Sequence, residues 1–353
     1  MPRLPPWLLR QANYHSPNLA ALLPACRDLQ SARHELRWIA QHVAKTAQAQ
    51  DGEHLAQLCQ QRGRGVPLQY ILGSQPFGHL EVKCRPGVLI PRPETEAYTC
   101  HLVDLIKTGR LLGRDSGHGN HGLNIVDFCT GTGCIPLLLF SSLQQSISRL
   151  NVLGVDIAGE AVQLAQENIG QNKKLGHIRQ LNVGQSLQIS RGDVFNDGDI
   201  QALIGRPWDI LISNPPYISK QVWDHGHGQL GYSVRKYEPR LALVPNNQHP
   251  VPAGWKHEDV FYSRLLDIAG VLQPKVVLLE LGDEAQARRV LGCYSQHASA
   301  EDLAVELWRD WPDLNPDGED GQFDVMTPSG RGWTVPVKGS GQIRCIFIRR
   351  RGE

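Results

Sequence analysis

Four consecutive residues, Asn214-Pro-Pro-Tyr217, carry groups suited to holding an NH2 group. Pro215 and Pro216 each fix φ, lack an N–H and hold the preceding residue extended, so Asn214 and Pro215 should keep unclaimed acceptors. The Asn214 side-chain oxygen and the Pro215 carbonyl could each take one hydrogen of a planar amide or an exocyclic amine, with Tyr217 packed on its flat face. An ordinary turn is the competing reading, since Asn and Pro are common turn residues. Upstream, Cys129-Thr130-Gly131-Thr132-Gly133 contains two glycines that let backbone approach a ligand closely. Asp156 lies where a carboxylate accepts from two ribose hydroxyls, the alternative being a helix cap. Asp193 and Val194 would offer an acceptor and an apolar wall to an adenine ring.

Each of these groups follows an apolar run that reads as a strand. Residues 209–213 are short, β-branched and bounded by turn formers, as in a buried parallel strand. Residues 124–128 run into the glycine turn and then a helix over 136–143, and 152–156 form a strand before a helix over 159–168. A third unit ends in Arg191-Gly-Asp-Val-Phe195. Open α/β sheets bind ligands at the carboxyl ends of their strands, so the candidate residues would converge there. The Gly-rich phosphate loop with its Lys is absent, and one glycine of the usual dinucleotide fingerprint is missing. A nucleoside without phosphates, S-adenosylmethionine, is the better ligand.

The chain has 353 residues and is 41% hydrophobic, enough for two cored domains. A formal charge of +1 gives no global drive toward nucleic acid. No apolar run reaches bilayer length, so a soluble protein is expected. The eight cysteines include no Cys-x-x-Cys pair, which fits neither a disulfide framework nor a zinc site and points to a reducing compartment. His118, His121, His225 and His227 stand in Gly-rich sequence without supporting ligands, so no metal is expected.

Residues 1–27 hold Arg3, Arg10 and Arg27 and no acid, reading as a transit segment or as a disordered or locally folded start, with Pro2, Pro5, Pro6, Pro17 and Pro24 against one long amphipathic helix. Residues 28–85 read as a small helical substrate-binding domain ending in a hairpin, with helical spacing over 31–45 and 53–61 and alternation at Leu80, Val82 and Cys84. Residues 86–108 read as a linker and a first helix. Physics alone makes Arg92 and Glu94 a solvated linker and helix cap, although Pro91 and Pro93 force extended backbone around Arg92. Residues 109–353 would form the catalytic domain.

These pieces, in this order, resemble the glutamine-N5 methyltransferases that modify peptide-chain release factors. The resemblance runs over most of 64–281. It rests on Pro67-Leu-Gln-Tyr-Ile-Leu-Gly73, the run from Pro86 to Glu96, the Gly131/Gly133 turn, Asp156, Gly192-Asp-Val-Phe195, Asn214-Pro-Pro-Tyr217 and Tyr237-Glu-Pro-Arg-Leu-Ala-Leu243. It implies an α/β fold: a Rossmann-like seven-stranded class I S-adenosylmethionine-dependent methyltransferase with a small N-terminal helical domain. The cofactor would be held by Cys129 to Gly133, Asp156, Asp193, Val194 and Asn214. The glutamine of a release factor's Gly-Gly-Gln loop would be held by Asn214, Pro215, Pro216 and Tyr217, with Asn214, Pro215 and Tyr217 as the catalytic set. Cys129 departs from the family, which has a glycine there.

The segments 109–122, 172–188, 245–257 and 314–341 read as inserted surface loops without chemistry. Residues 305–308 and 343–348 read as the terminal antiparallel pair of the sheet. Eukaryotic family members with the leading domain act on organellar release factors, which makes mitochondria the expected location and a bacterial-type cytoplasm the alternative. The competing function is a nucleic-acid N-methyltransferase acting on an exocyclic amino group. A +1 charge and 7% aromatic content do not suggest it, so nucleic acid is not expected as a direct substrate. A noncatalytic binding protein is disfavoured by the intact Gly131, Gly133, Asp156 and Asn214 to Tyr217.

Overall fold

The computed structural model describes residues 3–46, 51–111, 122–226, 229–297, 303–314, 321–327, 330 and 332–350. Contacts divide the chain into two units. Met1–Gln75, Lys83–Pro86 and His227–Glu238 form one, and Pro76–Val82, Gly87–Gly226 and Pro239–Glu353 the other.

The first unit contains α1 (Pro6–His15), α2 (Pro17–Cys26), α3 (Leu29–Thr46), α4 (Asp51–Gly63) and α5 (Leu68–Leu72). Of the readings left open for the start, the described residues show local folding. Leu8 and Ala12 of α1 and Leu19, Leu22 and Leu23 of α2 share an apolar core with Ile39 and Val43 of α3. Pro6 and Pro17 sit in the first turns of α1 and α2, where a missing N–H costs nothing. Pro24 lies within α2. Arg62 grips Glu35 with both ends of its fork, Nε to Oε2 at 2.6 Å and Nη2 to Oε1 at 2.9 Å, tying α4 to α3.

Next in the chain, β1 (Ser74–Phe77) and β2 (Leu80–Lys83) form the expected two-stranded sheet. The elements that follow alternate: α6 (Pro93–Lys107), β3 (Leu123–Phe128), α7 (Cys134–Leu143), β4 (Leu150–Asp156), α8 (Gly159–Lys174), β5 (Gln185–Arg191), α9 (Asp197–Gln201) and β6 (Ile210–Ser213). Then come α10 (Lys220–His225), α11 (Tyr232–Tyr237), α12 (Val260–Leu272), β7 (Val276–Glu280) and α13 (Glu284–Tyr294). The chain closes with β8 (Leu303–Trp311), β9 (Gly321–Met326), β10 (Gly332–Lys338) and β11 (Ser340–Arg350).

Among the described residues these strands build a nine-stranded sheet in the order β5-β4-β3-β6-β7-β11-β8-β10-β9. From β5 to β7 every pairing is parallel, while β11 runs antiparallel to both β7 and β8. The seven strands from β5 to β8 form the expected seven-stranded Rossmann-like sheet. Strand alternation sends side chains to two cores: Val126, Phe128 and Leu279 to one, Ile125, Ile212 and Leu278 to the other. Both faces are therefore covered, which is why these strands are near-continuous apolar runs.

Two expected loops do more than connect. The 314–341 segment, read as a loop, supplies β9 and β10, which pair antiparallel and place Phe323, Val325, Val335 and Val337 in the core. In the 172–188 segment, buried Asn172 donates through Nδ2 to the Glu81 carbonyl at 2.9 Å and accepts the Glu81 N–H at 3.1 Å, imitating a strand neighbour for the hairpin. Most of the 109–122 segment, with His118 and His121, lies outside the described residues, as does His227. Among the described residues no helix is long and apolar enough to cross a membrane.

Candidate active site

One cavity opens at the carboxyl ends of β3, β4, β5 and β6, where the chain leaves the sheet for the segments read above as ligand-binding. Cys129, Thr130, Gly131 and Thr132 line it after β3, Asp156 at the end of β4, Asp193 and Val194 after β5, and Asn214 and Pro216 after β6. Gly133, Pro215 and Tyr217 do not line it.

The glycine turn is shaped by its neighbours. Gly131 (φ 55°) and Gly133 (φ 78°) both take left-handed backbone, and so does Cys129 (φ 60°), where a glycine would carry no strain. A Cβ on Gly133 would come within 2.9 Å of the Ala165 Cβ, so this glycine serves the approach of α7 to α8. On Gly131 a Cβ would meet no atom within 4 Å: its position is open toward the cavity, and the lack of a side chain lets a ligand reach the backbone.

Asp156 organises this end. Its Oδ2 accepts the Gly131 N–H at 2.8 Å and its Oδ1 accepts the Ala158 N–H at 2.9 Å. Each carboxylate oxygen keeps acceptor capacity beyond those bonds. Burial raises the Asp156 pKa, against backbone hydrogen bonds from Ala158, Gly131 and Ile157 that favour the anion. Next to it Ile157 is 42% exposed, an apolar side chain facing a cavity rather than the core. A carboxylate with spare acceptors, an apolar plate and open glycine backbone suit a nucleoside with a ribose diol.

Asp127 stands behind the turn. Thr130 Oγ1 donates to its Oδ2 at 2.6 Å, while Oδ1 is buried without a hydrogen-bond partner among the described residues. Burial pushes this carboxyl from 3.8 up to about 8, with the Thr130 bond opposing. The folded state therefore holds the proton more tightly than the unfolded chain, and stability falls as pH rises between those two values. Asp127→Asn removes the titration, so its melting temperature should gain on the wild type between pH 5 and pH 8. Parallel melting curves across that range would contradict the assignment.

At the opposite wall the Asn-Pro-Pro-Tyr loop is held by a buried chain of hydrogen bonds. Thr95, in the first turn of α6, donates through Oγ1 to Glu280 Oε2 at 2.6 Å. The Thr95 oxygen takes a long contact from Asn214 Nδ2 at 3.4 Å. Tyr217 sends its hydroxyl to Glu280 Oε1 at 3.3 Å, and its ring would touch a Cβ on Gly282 at 3.0 Å. Expected to lie on the substrate, Tyr217 is instead turned to the end of β7. Among the described residues neither Asn214 Oδ1 nor the Pro215 carbonyl accepts a hydrogen bond. Their acceptors are free among the described residues. Thr95 and Glu280 are both nearly fully buried, and burial raises the Glu280 pKa against Thr95, Arg344 and Tyr217, which favour the anion.

Thr95 is thus a positioning residue for the Asn214 amide. Thr95→Val should lower kcat about 10-fold and, by stranding Glu280 Oε2, cost ~1–3 kcal/mol of stability. Thr95→Ser keeps the hydroxyl and should restore most of both. Equal kcat values for Val and Ser variants would remove that role.

Several cavity residues went unread as chemistry. Arg92, read on physics alone as part of a solvated linker, lines the cavity with Ile90 and Pro91, the last two buried. Two prolines flanking a cation were the available signal. Glu280, behind the cavity rather than in its lining, is an acid ending an otherwise apolar strand, the pattern that singled out Asp156. His249 and Phe261 also line the cavity, and nothing local in the sequence pointed to them.

No family model matches the chain. It is 37% identical over 244 residues to the mitochondrial MRF1 N(5)-glutamine methyltransferase MTQ1 of Saccharomyces cerevisiae, covering 69% of this chain and 68% of that protein. It is 34% identical over 252 residues to the probable MRF1 mitochondrial N(5)-glutamine methyltransferase of Schizosaccharomyces pombe, covering 70% of this chain and 74% of that one. The release factor glutamine methyltransferase of Bacillus subtilis is 32% identical over 247 residues, 69% of each chain.

Proposed function

The chain belongs to the release factor glutamine methyltransferase family, and on that premise we propose that it transfers a methyl group from S-adenosylmethionine to the side-chain amide nitrogen of the glutamine in a release factor's Gly-Gly-Gln motif. The observation that carries this reading is the pair of free acceptors, Asn214 Oδ1 and the Pro215 carbonyl, beside a cavity that also holds Asp156 and the glycine turn.

S-adenosylmethionine, when bound, supplies an electrophilic methyl group. Asp156 and the backbone of Gly131 are the groups that would hold it, with Asp193 and Val194 toward the adenine. The chain's part in transfer is positional. An amide nitrogen is a poor nucleophile because its lone pair is delocalised into the carbonyl. With one N–H on Asn214 Oδ1 and the other on the Pro215 carbonyl, the amide plane is fixed. The same acceptors stabilise positive charge as it grows on nitrogen while the methyl–sulfur bond breaks; no side-chain base is needed before attack, because the nitrogen becomes acidic only once methylated and then releases its proton to water. Pro216 and the anchored Tyr217 keep the loop rigid.

The helical unit is the part of the chain suited to gripping a protein substrate away from the glutamine. The names of the two yeast relatives support a mitochondrial location and a mitochondrial release factor. Nucleic acid is not the substrate in this reading. The test is incubation with S-adenosylmethionine and a mitochondrial release factor, followed by tandem mass spectrometry of the Gly-Gly-Gln peptide. One added methyl on the glutamine side chain is the expected result. Label in added RNA or DNA, with none on the peptide, would move the activity to the exocyclic-amine alternative.

A further inference from the structure

The 245–257 segment, expected to be an inert surface loop, delivers one side chain to the cavity. Residues 246 to 254 are all exposed except His249. Its imidazole lies flat on Phe195, with centroids 3.7 Å apart and planes at 13°. Both rings meet Phe261 of α12 edge-on, at 5.7 Å for His249 and 4.9 Å for Phe195. Phe195 directly follows Asp193 and Val194, and His249 and Phe261 line the cavity together with those two residues.

The loop that carries His249 is folded. Its N–H donates to the Asn246 carbonyl at 3.2 Å, and the Gln248 N–H donates to Asn246 Oδ1 at 3.1 Å. His257 Nε2 contacts the same Asn246 carbonyl at 3.0 Å, closing the base of the segment. Cys293 Sγ donates to the Gly254 carbonyl at 3.3 Å. Partial burial lowers the His249 pKa and favours the neutral ring, an effect that nearby Asp193 opposes. A neutral ring stacked on phenylalanine presents an apolar plate with a polar edge.

We infer that His249 is a binding residue for the adenine ring of the methyl donor, walling the end of the cavity beyond Asp193 and Val194. The inference rests on the S-adenosylmethionine reading of the cavity. An aromatic wall there excludes water from the hydrogen bond between Asp193 and the exocyclic amine, and a drier hydrogen bond is a stronger one. It also adds ring contact that strands β4 and β5 do not provide.

Calorimetric titration of purified protein with S-adenosylhomocysteine and with 5′-methylthioadenosine tests this. The second probe keeps the adenosine and lacks the amino acid. His249→Ala should weaken both by the same factor, roughly 5- to 10-fold, the size of an aromatic contact. His249→Phe keeps the ring and should stay within about 3-fold of wild type. Unchanged affinity in His249→Ala would overturn the inference, as would a loss confined to S-adenosylhomocysteine, which would place the effect at the methionine end. A loss that phenylalanine does not recover would overturn it too, by assigning the effect to loop folding. Failure of the wild type to bind either probe would strike the cofactor reading itself, a different result from wild-type binding with an indifferent His249.

Discussion

Asn214→Ala should reduce methyl transfer by roughly 10²- to 10³-fold, the usual cost of deleting one group that stabilises charge at the reacting atom. Binding of S-adenosylhomocysteine should change only a few-fold. The asymmetry follows from where Asn214 sits. Its Nδ2 faces Thr95 Oγ1, so its Oδ1 is left as the acceptor, which in the proposed reaction takes the substrate amide rather than the nucleoside. Asn214→Asp is the sharper companion. A carboxylate keeps the acceptor but loses the donor to Thr95, and it adds a charge near buried Glu280. It should recover little. Turnover numbers with saturating cofactor, set beside calorimetric affinities, measure both effects. Near-normal turnover in Asn214→Ala would remove the residue from the mechanism.

Asp156→Ala should act on the other half of the reaction, weakening S-adenosylhomocysteine by about 100-fold. Two losses combine. The ribose would lose acceptors on an anion, and hydrogen bonds to charged groups are worth ~1.5–3 kcal/mol each. The Gly131 and Ala158 amides would also lose their partner, so the turn that holds the ligand would be less ordered. Asp156→Asn fares almost as badly, because an amide has an NH2 end and cannot accept from both backbone donors. A change below about 3-fold in either variant would leave Asp156 with capping alone.

The parts of the fold that could be read from sequence are those where local pattern and burial agree. Residues 209–213 announce β6 because a strand covered on both faces is apolar throughout and must end in turn formers. Asp156 was legible for the same reason, as an acid interrupting an apolar run. Strands β9 and β10 were not. They are bounded by Gly and Pro, and Pro336 lies inside β10. The proline is tolerated because β10 pairs with β8 only at Val337 and Lys338, so most of its length is edge-like on that side. The prolines of 1–27 argued against one long helix, and Pro17 does open α2 directly after Ser16 ends α1.

In the site, sequence identified residues that touch the cavity from loops with unusual composition. It did not identify residues whose role depends on tertiary approach. Thr95 is an ordinary residue of an ordinary helix until Glu280, 185 positions away, closes on it. His249 has no neighbour in sequence that hints at Phe195. Such pairings are made by the sheet order and leave no local trace.

Strand β11 occupies a slot between β7 and β8, with Cys345 in register with Glu280. The five parallel strands on the far side of that slot hold every residue expected at the nucleoside. Glu280, which steadies the Asn-Pro-Pro-Tyr loop, stands at the slot itself. Filling the slot requires closure of a long, non-local loop, the slowest kind of contact to form. During refolding, nucleoside affinity should therefore return before methyl transfer does, and a bound nucleoside would favour the parallel half by mass action while β11 is still finding its place.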